Sequence, residues 1–459
     1  MPLLSINPVT NQLIKKYPTH TDLEIDQIIY SVSKAQISWQ GLKLNERLDY
    51  FKKLSKLFKK DSLRIAKLIT LEMGKPISQS IAEIEKCASL CDYYYHNSAK
   101  ILREINYDII DQKSFISYQP IGIVLGIMPW NFPFWQVFRF LVPTLIVGNG
   151  AILKHASNVQ GCADEIENYF NLAGFPQNIF CNIRIPGKEV SKIIKNPSIA
   201  AVSLTGSEEA GISVAKTAGS VLKKTVLELG GNDPYIIFSD ANLEISTEAC
   251  IKGRILNAGQ SCISAKRIIV MFDIYNDFLN LIKNKLSKKI VGNPMDKVDM
   301  GPMVSIEARD EVHDQVLRSQ NKGAKIILGG SIQNSIGAYY PITLLSDVKP
   351  GMPAFDEEIF GPVFSLIKAI NEEEAIKLAN LSNFGLGASI FTNNIAKGEQ
   401  IAKTKISSGS CFVNDFVKSD PRLPFGGIKK SGYGRELASQ GMLEFVNVKT
   451  IVVKDSKNM

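Results

Sequence analysis

Four short runs in this sequence join residue types that can do chemistry. Cys262 ends Asn257-Ala258-Gly259-Gln260-Ser261-Cys262, a thiol among glycine and polar residues. A cysteine on a loop with backbone N–H groups nearby can have a lowered pKa and serve as a nucleophile; the competing reading is a small buried hydrophobe. Glu228 stands in Val226-Leu227-Glu228-Leu229-Gly230-Gly231, an acid inside an apolar run. Burial raises a carboxyl pKa and makes a general base near neutrality, or else the acid is structural and bonded to backbone N–H groups. Asn131 sits between two prolines in Pro129-Trp130-Asn131-Phe132-Pro133, either as a rigid donor to an oxyanion or as plain turn chemistry. Thr205-Gly206-Ser207 follows an apolar run and opens an Ala-rich stretch. There a phosphate would find free N–H groups and a hydroxyl, though Ser207 also suits a simple N-cap.

The elements that must position these residues alternate. Residues 21–60 read as two amphipathic helices, the first opened by a capping box at Thr21 and Glu24. Beyond Ile121, short β-branched runs at 121–127, 150–153, 199–204 and 234–238 alternate with helical segments, and a second such series follows at 267–271, 325–328, 363–369, 388–391 and 410–413. This spacing predicts βαβ units and two α/β domains meeting between Glu228 and Gln260, where ligands tend to bind. No GxGxxG is present.

The 459 residues carry 53 Lys+Arg against 45 Asp+Glu, with 45% hydrophobic and 21% charged residues, which excludes a disordered or collagenous chain. The net charge of +8 is dispersed, so no nucleic-acid partner is expected. Seven scattered cysteines without a CxxC pair argue against a disulfide framework or metal site and for the cytoplasm. The apolar stretch 121–148 is broken by Pro129, Pro133 and Pro143 and holds Arg139, so it predicts a buried strand, turn and helix, not a membrane span.

Taken in order, PWNFP, LKHAS, LTGS, LELGG, GQSC, EEIFGP and PFGGIKKSGYGRE make the chain resemble the aldehyde dehydrogenase superfamily from about Asn7 to the C-terminus. Its Ser419-Asp420-Pro421-Arg422 and Phe425-Gly426-Gly427 are similar to the short bacterial succinate-semialdehyde dehydrogenases. The resemblance implies a Rossmann-type cofactor domain (1–106 and 119–229), an α/β catalytic domain (230–436) and a small β oligomerisation arm (107–118 and 437–459). It implies Cys262 as nucleophile, Asn131 as oxyanion donor and Glu228 as the base for thioester hydrolysis. For the cofactor it implies Trp130 and Ser207 near the pyrophosphate, Glu358 near the nicotinamide ribose and Lys154 at the adenosine ribose, with Gly206 and Phe360 as further cofactor-binding residues. Relatives that prefer NAD often carry a glutamate where this chain has Ser157, so the expectation is NADP over NAD.

For the substrate, the resemblance implies succinate semialdehyde, with Arg139, eight residues after Asn131, and Ser419 as a carboxylate clamp. An internal salt bridge is the alternative for Arg139. A second arginine found in longer relatives is replaced by Leu256, and Arg422 is the expected substitute. The branch's redox-switch cysteine pair is absent, since Ile263 and Ser264 follow Cys262. Competing readings are another ω-carboxylated or small aliphatic aldehyde, acyl transfer to coenzyme A, or a non-catalytic relative. The expected assembly is a homodimer or homotetramer.

Overall fold

The computed structural model describes residues 2–110, 112–332 and 336–454. Residues 1, 111, 333–335 and 455–459, which fall in the three expected units, lie outside the described residues.

Three helices precede the first parallel sheet: Asp22–Gln40, Leu44–Met73 and Ile77–Ile101. The first opens as expected, with Thr21 Oγ1 accepting from the Glu24 N–H at 3.3 Å while Glu24 Oε2 accepts from the Thr21 N–H at 2.7 Å. The second runs past the expected boundary at 60 to Met73, because its buried face continues through Ile65, Ile69 and Met73. Gly74, at φ 74°, ends it with its N–H on the Thr70 carbonyl.

The six-stranded sheet has Ile123–Met128 at its middle. On one side lie Gly150–His155 and Phe180–Asn182, on the other Ile199–Thr205 and Lys224–Glu228, all parallel. The order therefore reverses between Ile123–Met128 and Ile199–Thr205, and open parallel sheets bind ligands beyond the carboxyl ends of such a pair. Pro129-Trp130-Asn131 and Gly206-Ser207 follow those two ends directly. A short returning strand, Gly432–Tyr433, pairs antiparallel with Lys224–Glu228 and places Gly432 opposite Glu228.

The seven-stranded sheet runs Lys325–Leu328, Thr343–Ser346, Val363–Ala369, Arg267–Met271, Pro234–Ile237, Gly387–Phe391, Ser410–Val413. Only the first pair is antiparallel. The 121–148 stretch resolves into the expected strand, turn and helix: Trp135–Ile146 is buried at every position, Arg139 included. No helix among the described residues is long and apolar enough to cross a membrane. Ile105–Ile109, Gln112–Pro120 and Val446–Val453 form a separate three-stranded antiparallel sheet, with Gln112–Pro120 at its centre.

One buried ion pair fixes the entry to helix Trp135–Ile146. Glu83 Oε1 accepts from the backbone N–H groups of Phe134 and Trp135 at 2.9 and 3.0 Å, and its other oxygen meets Lys75 Nζ at 2.5 Å. Both side chains are almost fully buried. Removing one partner of such a pair leaves an uncompensated charge, at a cost of about 3–5 kcal/mol. Lys75→Met is therefore expected to lower the denaturant midpoint markedly. The double variant Lys75→Met, Glu83→Gln, which keeps both N–H bonds without the charge, should recover most of the loss; failure to recover would place the effect in packing instead.

Candidate active site

Cys262 is half-buried on the loop that leads into strand Arg267–Met271. Three consecutive residues before it, Asn257, Ala258 and Gly259, have φ of 53°, 53° and 75°. Left-handed backbone at two non-glycine residues is strained and persists only where the surroundings enforce it. The enforcement is visible: Asn257 Nδ2 donates to the Asn131 carbonyl at 2.8 Å and to the Gln260 carbonyl at 3.1 Å, Gln260 Nε2 donates to the Asn257 carbonyl at 3.0 Å, and Gln260 Oε1 accepts from the Val304 N–H at 2.9 Å. At Gly259 an added Cβ would overlap the Gly361 carbonyl, so only glycine fits.

Two cavities of about 280 Å³ each share Cys262 as a wall. The first is lined by Pro129, Trp130, Asn131, Thr205, Gly206, Ser207, Gly230, Glu358 and Phe360. Trp130 and Phe360 pack edge to face at 5.7 Å between centroids. Ser207 caps helix Glu208–Gly219, accepting from the Ala210 N–H at 3.3 Å. Glu358 is held by the Gly231 N–H at 3.0 Å and by Lys266 Nζ at 3.1 Å, and an added Cβ at Gly230 would overlap its other oxygen. A helix N-terminus for phosphate, a carboxylate for ribose hydroxyls and two aromatic walls fit a dinucleotide.

The second cavity is lined by Gln79, Glu83, Lys86, Trp135, Gln136, Arg139, Ser261, Val417, Ser419 and Phe425, among others. Asn131 lines the first cavity only: its Nδ2 donates to the Gln260 carbonyl at 3.2 Å, which leaves a second N–H. The Cys262 N–H has no acceptor among the described residues.

A model of the aldehyde dehydrogenase family matches residues 2–451. The chain belongs to the aldehyde dehydrogenase family. It is 42% identical over 452 residues to a probable NADP(+) succinate-semialdehyde dehydrogenase of Synechocystis sp., covering 98% of this chain and 99% of the relative. It is 41% identical to an NAD(P)+ succinate semialdehyde dehydrogenase of Escherichia coli, covering 98% of this chain and 97% of the relative. Among solved structures, succinic semialdehyde dehydrogenase of Streptococcus pyogenes in complex with NADP+ superposes with a TM-score of 0.96 at 34% identity, covering 99% of this chain and all of that one.

Within this aldehyde dehydrogenase chain, three of the expected residues have surroundings that bear on their expected roles. Arg139 lines the second cavity but is not a free fork: its Nε meets Glu436 Oε2 at 2.6 Å and its guanidinium stacks on Phe425 at 4.4 Å, so the internal salt bridge is present. Arg422 is exposed, bound by Asp420 at 2.7 and 2.9 Å, and does not line either cavity. Glu228 is buried at the end of strand Lys224–Glu228, yet it is not a wall of either cavity; its carboxyl faces Gly426, with no hydrogen-bond partner for either oxygen among the described residues. Lys154, buried, is the penultimate residue of strand Gly150–His155, and Ser157 is exposed two residues past that strand.

Sequence reasoning missed Glu436, Lys266 and Lys86. The first stands inside the quoted GYGRE motif without a role assigned to it. Lys86 shares one face of helix Ile77–Ile101 with Ser78, Gln79, Ala82 and Glu83, a three-and-four spacing that was available to find it.

Burial pushes the Cys262 thiol up to about 12, against the pull of Arg139 and Lys266. Burial, then Glu436, holds the Glu228 carboxyl well above the usual carboxylate range, with Arg139 and Arg435 opposing. Glu436 is raised by burial too, and Arg139 opposes. For acids raised in the folded state, stability is fully present below the ordinary carboxylate pKa and is lost as pH rises through the folded values. Glu228→Gln is thus expected to raise the thermal midpoint at pH 8, with the gain shrinking toward pH 5. A gain independent of pH would contradict the buried carboxyl pair.

Proposed function

We propose that the chain oxidises succinate semialdehyde to succinate with NADP in preference to NAD. One observation carries this reading: Cys262 is a wall common, with Gln136, to a cavity suited to a dinucleotide and a cavity that carries cations. The names of the relatives from Synechocystis and Escherichia coli point the same way.

In this reading the aldehyde enters the second cavity with its carbonyl at Cys262 and its distal carboxylate toward Arg139 and Ser419. The thiol must lose its proton before attack, and Arg139 and Lys266 are the cations that lower that cost. Attack of Sγ gives a thiohemiacetal whose oxyanion is received by the free Asn131 N–H and the Cys262 N–H. A bound nicotinamide dinucleotide supplies the hydride acceptor. Cys262 then holds the acyl group as a thioester, and Glu228 takes a proton from the water that hydrolyses it. Its carboxyl, turned here toward Gly426, has to rotate toward Cys262 to do so. The presence of this acid favours water over coenzyme A as acceptor. Trp130, Gly206, Ser207, Glu358 and Phe360 hold the dinucleotide. Lys154 and Ser157 receive its adenosine ribose.

Seven cysteines, all free, fit a reducing cytoplasm. The three-stranded sheet leaves Ile105–Ile109 and Val446–Val453 as edges, with Tyr107, Ile109, Val448 and Val452 about half exposed. Pairing with a second copy of the chain would cover them, in a dimer or tetramer.

Steady-state kinetics over a panel of aldehydes with both cofactors tests the reading. Succinate semialdehyde should give the highest kcat/KM, and Cys262→Ser should abolish turnover; an active serine variant refutes the mechanism. Ser157→Glu is expected to lower the NADP-to-NAD ratio of kcat/KM by about tenfold or more, since a carboxylate there repels a 2′-phosphate. An unchanged ratio would remove Ser157 as the selector.

A further inference from the structure

We propose that Lys86 is the principal cation for the distal carboxylate of the substrate, with Ser419 as its hydrogen-bonding companion. This rests on the ω-carboxylated-aldehyde reading and assigns that site a residue outside the expected clamp.

Three cations line the cavity beyond Cys262, and their surroundings differ: Lys418 Nζ is already paired with Asp415 at 2.5 Å. Arg139 already has a carboxylate partner, Glu436, at 2.6 Å, both side chains being almost wholly buried. Its charge is largely spent on holding that acid and on opposing the charge of Glu228. A second carboxylate brought to Arg139 would compete with Glu436 for one guanidinium. Lys86, by contrast, meets no carboxylate within ion-pair distance among the described residues. The nearby acids are engaged elsewhere: Glu83 with Lys75 and two backbone N–H groups, Asp420 with Arg422.

The ammonium of Lys86 is held in place. Its Nζ donates to Ser419 Oγ at 2.7 Å and lies 4.3 Å from the centroid of the Trp135 ring, while its stem leaves helix Ile77–Ile101. An ammonium has three N–H donors, and the hydrogen bond to Ser419 uses one. Lys86, Trp135 and Ser419 all line the cavity that ends at Cys262. Burial, then Arg139, lowers the Lys86 pKa to about 8, the mark of a half-desolvated cation short of a counter-charge, which an incoming carboxylate would supply. Binding there offsets the repulsion from Arg139 and supplies the counter-charge that buried Lys86 lacks.

The test compares wild type, Lys86→Met and Lys86→Arg with succinate semialdehyde and with butanal, the uncharged aldehyde of equal chain length, at saturating NADP+. Lys86→Met keeps the apolar stem. It is expected to raise KM for succinate semialdehyde about tenfold or more, with kcat and the butanal kcat/KM little changed. Lys86→Arg should restore most of the loss. Calorimetric titration with succinate should show the same weakening in the methionine variant. A KM for succinate semialdehyde unchanged in Lys86→Met overturns the proposal alone, and so does an equal loss on both aldehydes, which marks a structural role. A wild type with no preference for the carboxylated aldehyde overturns the substrate reading with it.

Discussion

The ion pair between Arg139 and Glu436 is the constraint on which the rest of the site depends. It joins the all-buried helix Trp135–Ile146 to the segment that returns from the far end of the chain and lays Gly432 against Glu228. Two carboxyls, Glu228 and Glu436, are buried together, and Arg139 opposes the charge of both. Without it each acid would have to remain neutral or leave the interior. Burial and Glu436 raise the Glu228 carboxyl, and Arg139 counters that rise.

Around that pair the backbone is brought unusually close. The carboxyl ends of the first parallel sheet supply Asn131, Gly206 and Glu228, and the loop entering the second supplies Cys262. Asn257 bridges the two by donating to the Asn131 carbonyl, which ties the Cys262 loop to the Asn131 turn. The glycines after Glu228 make the approach feasible: a side chain at Gly231 would press on the Cys262 carbonyl, and one at Gly230 on Glu358. The left-handed turn at 257–259 is the strain that this closeness requires.

Much of this was legible in the sequence, and the boundary of legibility is physical. Strands such as Arg267–Met271, Lys325–Leu328, Val363–Ala369 and Ser410–Val413 were read to the residue, because short β-branched runs between turns are a local signal. The reach of the second helix to Met73 was not, since its apolar face simply continues. The motifs carrying Cys262, Asn131 and Ser207 stand out for their residue types; Asn131 and Ser207 border the first cavity and Cys262 borders both. Glu228 was found by the same means, but the rotamer that turns it toward Gly426 leaves no trace in a motif. Arg139 shows the limit most plainly. That an arginine in an apolar helix must be paired follows from local sequence; that its partner is Glu436 depends on a returning strand hundreds of residues later, which no local pattern encodes.

That pairing also changes what selectivity can rest on. A guanidinium locked to an internal acid can orient charge and polarise a nucleophile, but it is a poor receptor, because every anion it accepts displaces one it needs. A site that must both stabilise buried carboxyls and recognise a carboxylate substrate does better with two cations of different kinds. The planar Arg139, stacked on Phe425 and fixed by Glu436, suits the permanent task. The compact ammonium of Lys86, held beside Trp135 and Ser419 with donors to spare, suits the task that is repeated each turnover. The separation lets substrate charge come and go without disturbing the Arg139–Glu436 pair beside Glu228.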